Sequence, residues 1–78
     1  MTETEELETY LESELIGKVV SITYTHKYKG KQVEVDMVNR LSIDTITKPQ
    51  DLLILFTNSG KRLEVPLDDL KSYITILN

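Results

Sequence analysis

The apolar period of this chain changes once, at Gly17, and that change limits the folds open to it. Before it, Leu7, Tyr10, Leu11 and Leu15 recur at i, i+3, i+4 and i+8, the spacing of one helical face. Thr2 with Glu5 three residues later has the form of a capping box, and Glu3, Glu5 and Glu6 lie where the helix dipole favours anions. Gly17 is placed to end the helix in a left-handed conformation. The stripe is narrow, so the helix is expected to cover a sheet rather than form a core of its own.

After Gly17 the period is two. Val20, Ile22 and Tyr24 alternate with Ser21, Thr23 and Thr25, the pattern of a half-buried strand. Tyr28-Lys29-Gly30-Lys31 predicts a tight hairpin turn, with Gly30 free to take a positive φ. The chain returns with Val33, Val35 and Met37 expected inward and Glu34 and Asp36 on the opposite face. Leu41 and Ile43 continue that phase, and Ile46 leaves it, which suggests a bulge or strand end near Asp44. Lys48-Pro49-Gln50-Asp51 is a turn, because Pro49 fixes its φ and pushes Lys48 out of the helical region. Leu52 to Phe56 is an unbroken apolar run, expected of a central strand buried on both faces. Asn58-Ser59-Gly60 makes the next turn, and Leu63 and Val65 a short strand. Pro66 then interrupts the pairing, Asp68 and Asp69 favour a helical turn with Asp68 capping it, and Ser72 to Leu77 supplies a last strand. The expected fold is mainly β (α+β): an N-terminal helix over residues 1–16, then a five-stranded, strongly bent antiparallel SH3/Sm-like small barrel over residues 18–77, forming one domain over residues 1–78.

The motifs themselves resemble a family. LIGKVVSITY, LSIDTITKPQDLLILF and VPLDDLKSYITI are similar to the Sm-like and SH3-like small barrels, above all the C-terminal barrel of the ribosome maturation factor RimP and the YolD-like proteins. Those families open with apolar-Gly-Lys-x-Val, matched by Ile16, Gly17, Lys18 and Val20. Their Ile-Pro-apolar-acidic-Asp-Ile element is matched by Val65 to Leu70. The resemblance implies a small barrel over residues 11–77. It does not extend to the Sm base pocket: Asp44 stands near the place of its Asp, but no Asn follows, and Asp68 and Asp69 replace the basic step. Asn39-Arg40-Leu41 also stands where the RimP and YolD-like patterns have a glycine, so the bend of the second strand must be made by other means.

Composition narrows the function to binding. Seventy-eight residues hold one core, and a chain this short buries roughly 60–65% of its unfolded surface, so self-association would help it. One histidine and no cysteine cannot supply a nucleophile with its base, a disulfide framework or a thiolate metal site, and the scattered acids have no ligand spacing. The three glycines are far apart and form no phosphate loop. No cofactor and no metal are expected, and no enzymatic activity. No apolar run reaches the length of a membrane span, and the acidic start is unlike a signal peptide, so the expected location is cytoplasmic.

Charge is divided along the chain, whose net value is −4. Residues 1–17 carry six Glu and no base, whereas residues 18–32 carry four Lys and no acid. The second block holds the candidate contact site: His26, Lys27, Tyr28, Lys29 and Lys31. Cations for phosphates beside aromatic faces for stacking are what single-strand nucleic-acid binders use. A charged hairpin end is also ordinary protection of a strand edge. An acidic helix could lie against this basic hairpin in the same fold or in a neighbouring subunit. The expected function is a protein–protein interaction or accessory domain, with self-association included. RNA or single-stranded nucleic-acid binding through residues 24–31 is the alternative.

Overall fold

The structure, a computed structural model, describes residues 2–26, 28–46 and 50–77. Helix α1 (Glu3–Leu15) starts where the Thr2 hydroxyl accepts the Glu5 N–H at 3.1 Å. It ends before Gly17, whose φ of 83° is open to glycine at little cost. Five strands follow: β1 (Val19–His26), β2 (Gly30–Asp44), β3 (Leu52–Thr57), β4 (Arg62–Pro66) and β5 (Ile74–Ile76). A 3-10 turn (Leu67–Asp69) and one helical turn, α2 (Leu70–Tyr73), precede β5. The strands form one antiparallel sheet in the order β4-β3-β2-β1-β5, a meander whose last strand returns beside the first.

The sheet bends enough to bring β1 near β4, but it does not close into the expected barrel. Pro66 ends β4, and Leu67 to Tyr73 are spent on helical turns. β5 is three residues long and pairs with β1 alone. Both β4 and β5 therefore remain edges.

The core lies on the concave face. Val20, Ile22, Val38, Leu53, Leu55 and Val65 are fully buried there, with Leu41 and Leu63 almost so. Leu11 and Leu15 of α1 complete this cluster, so the helix contributes to the core rather than only covering a sheet. Its other apolar residues, Leu7 and Tyr10, are exposed. The β3 run is central, as its composition requires: Leu53 and Leu55 face the core, and Ile54 is buried on the opposite face. Beside it, the Arg40 guanidinium stacks 4.5 Å from the centroid of the Phe56 ring.

The faces of β2 differ from the expected ones. β1 and β2 pair His26 with Gly30, Tyr24 with Gln32, Ile22 with Glu34 and Val20 with Asp36. Directly paired residues share a face, so Gln32, Glu34 and Asp36 lie on the concave side and Val33, Val35 and Met37 on the convex side. The register shifts between Val38 and Arg40, a bulge that returns Leu41 and Ile43 to the concave side. β2 is thus one continuous strand whose two halves turn opposite parities inward. The strand ends at Asp44, as expected, and the bulge that the sequence did not announce sits at Asn39.

Candidate functional site

Turning Glu34 and Asp36 inward gives them partners on the β3–β4 turn. Asp36 Oδ1 accepts the Met37 N–H at 2.7 Å, while Oδ2 accepts the Ser59 N–H at 3.2 Å and the Ser59 hydroxyl. The Ser59 hydroxyl and then the Met37 amide hold the Asp36 carboxyl below its ordinary value of 3.8. The Lys61 ammonium donates to Glu34 at 2.9 Å, and that carboxylate raises the lysine above its ordinary 10.5. A backbone bond from Asn58 N–H to Met37 O at 2.9 Å completes the attachment. These carboxylates are structural fasteners for the turn, whose Gly60 has a φ of 88°.

The convex side of the same hairpin carries two exposed valines among hydroxyl side chains. Val33 and Val35 remain 64% and 59% exposed, opposite Thr23 and Ser21 of β1. Leu77, 53% exposed, lies across β1 from this strand, its N–H bonded to Val19 O at 2.9 Å. Sequence patterning missed this surface because it placed both valines in the core.

The candidate contact residues lie at one end of this hairpin. Gly30 has a φ of 71°, and Gln32 Nε2 donates to the Lys29 carbonyl at 2.9 Å. The Tyr28 N–H donates to His26 Nδ1 at 3.3 Å, with the two rings tilted and 6.4 Å apart. His26, Tyr28, Lys29 and Lys31 are exposed, Tyr28 at 82%. The Lys31 ammonium stands 5.8 Å from the Tyr73 ring, away from the tip, whereas Tyr24 packs against the core. Lys27 lies outside the described residues, as do Lys48 and Pro49 of the expected turn. Sequence reading also missed Arg62, which with Glu64 faces Tyr24, Thr25 and His26 across a cleft of about 340 Å³.

The charge blocks do not neutralise one another within the fold. Among the described residues, ion pairs join Lys61 to Glu34 and Arg62 to Glu64, and no glutamate of α1 pairs with Lys29 or Lys31. The proposed capping by Asp68 does not occur: no side chain caps the 3-10 turn, and Asp69 instead accepts the Ser72 hydroxyl at 2.7 Å. The described residues contain no group of three or more potential metal ligands, and no described helix is long and apolar enough to cross a membrane. No family model, no curated protein and no solved structure matches the chain.

Proposed function

We propose that this chain is a small non-enzymatic interaction module that docks a protein partner on the convex face of β1 and β2. The observation that carries this reading is the exposure of Val33 and Val35. A sheet with one solvated face normally presents polar residues to water. Here Gln32, Glu34 and Asp36 face inward, and two valines stand outside. Burying them against a partner would contribute roughly 1 kcal/mol each. Lys29 and Lys31 border this face and favour a partner with acidic groups at its rim. One histidine and no cysteine support binding over catalysis. The element order, with a helical turn between β4 and β5, supports kinship with the Sm-like and SH3-like small barrels.

Nucleic-acid binding is the second reading, favoured by the exposed Tyr28 ring beside His26, Lys29 and Lys31, with Arg62 across the cleft. Pull-down of the tagged chain from lysate, with and without nuclease, separates the two. The interaction reading expects retained protein after nuclease, lost in Val33→Ser/Val35→Ser and only weakened in Lys29→Glu/Lys31→Glu. Retention that vanishes with nuclease and with the lysine substitutions would replace it with the second reading.

A further inference from the structure

We infer that two copies of this chain pair antiparallel through the open edge of β5, on a two-fold axis at Thr75. The inference rests on the interaction reading above and adds a surface to it, with the chain itself as the partner. Its starting point is the difference between the two edges of the sheet. β4 carries the Arg62–Glu64 ion pair and ends in Pro66, features that discourage strand addition. β5 has none of these, and residues 72–77 contain no charge.

The backbone of β5 is oriented for such pairing. Leu77 N–H bonds to Val19 O, and successive residues of a strand bond to opposite sides. Ile76 therefore directs its N–H and carbonyl away from β1, and Ile74 directs its carbonyl the same way, its N–H being bonded to Leu70 O. About a two-fold axis at Thr75, Ile76 N–H of each copy donates to the Ile74 carbonyl of the other.

The side chains match in that register. Ile74 of one copy faces Ile76 of the other on the concave side, where Ile76 is 45% exposed. Both isoleucines border a largely apolar groove of about 260 Å³ backed by Leu11, Leu15 and Leu70, with Glu14 and Lys71 also in its lining. Thr75 meets its counterpart on the convex side, and threonine pairs are favourable across strands. Ile-Thr-Ile reads the same in both directions, so a second copy supplies the strand that complements both faces. The contact is isologous and stops at two, because a discouraged β4 edge terminates each end of the joined sheet.

Sedimentation equilibrium over roughly micromolar to millimolar protein tests this, with far-UV circular dichroism as the folding control. The parent is expected to rise from 9.0 kDa to twice that mass. Ile76→Pro should stay at the monomer mass, since it removes an N–H that β1 does not use and an edge strand accepts proline there. Thr75→Lys, at an exposed convex position, should also stay monomeric by placing two ammonium groups at the axis, and it decides the matter if the proline variant does not fold. Val33→Ser/Val35→Ser should dimerise as the parent does. A parent that remains at 9.0 kDa, or a folded Thr75→Lys that dimerises unchanged, would overturn the pairing. A monomeric parent that still captures protein through Val33 and Val35 overturns the pairing alone and leaves the interaction reading standing.

Discussion

Val35 and Val38 are the same residue type, three positions apart on one strand, and the bulge gives them opposite surroundings. Val38 is 0% exposed and Val35 is 59% exposed. Truncating Val38 to alanine removes two buried carbons, about 1.6 kcal/mol by transfer alone, and the cavity left behind brings the loss to about 2–3 kcal/mol. Truncating Val35 removes groups already in water, and the change should stay within about 0.5 kcal/mol. Strict alternation with Val35 inward would predict the reverse order. Urea denaturation at one fixed protein concentration measures both, and equal slopes would show that stability rather than compactness has changed. In a thermal scan Val38→Ala should melt on the order of 10 °C below the parent and Val35→Ala close to it. A Val35→Ala loss equal to or greater than that of Val38→Ala would refute the assignment of faces and remove the convex valines as a binding surface.

Two further outcomes follow from the packing and the fasteners. Leu15→Ala should cost about 2–4 kcal/mol by the same denaturation assay, because it opens a cavity where α1 meets the core; a loss below about 1 kcal/mol would show that the helix is only loosely attached. Asp36→Asn should destabilise the chain at neutral pH by weakening the bonds to Ser59 and Met37. The carboxyl is held below 3.8, so its contribution is complete above that value and is lost as pH falls through the lowered one. The gap between parent and variant should therefore hold from neutral pH down to about 3.8 and shrink below it; a gap that persists in stronger acid would show that the charge is not what fastens the turn.

Features signalled locally were legible in the sequence. Gly17, Gly30 and Gly60 each mark a place where the backbone takes a positive φ, and the chain turns at all three. The helix, the β3 run and the break after Pro66 follow from period and proline. The faces of β2 were not legible, because they depend on the number of residues between paired positions. His26 pairs with Gly30, leaving three residues between them, so even-numbered residues of β1 meet even-numbered residues of β2. A two-residue turn would have paired even with odd and turned Val33 and Val35 inward. Asn39 then reverses the parity without a glycine to announce it, so 33, 35, 41 and 43 read as one apolar phase while lying on two faces. The basic tip was legible as a charge block. Its neighbour Arg62 was not, since sheet curvature alone brings β4 beside β1.

The order β4-β3-β2-β1-β5 also sets a sequence of events in time. Three of the four strand pairings join neighbours across short connections, whereas β5 reaches β1 by bringing residue 76 to residue 20. Closing so long a loop costs up to about 2–3 kcal/mol more than closing a hairpin. In the monomer, β5 should accordingly be the last strand to form and the first to fray. The Leu77 amide, bonded to Val19, should exchange its hydrogen with solvent ahead of the amides between β2 and β3. Each such opening would bare the backbone edge of β1 that β5 covers.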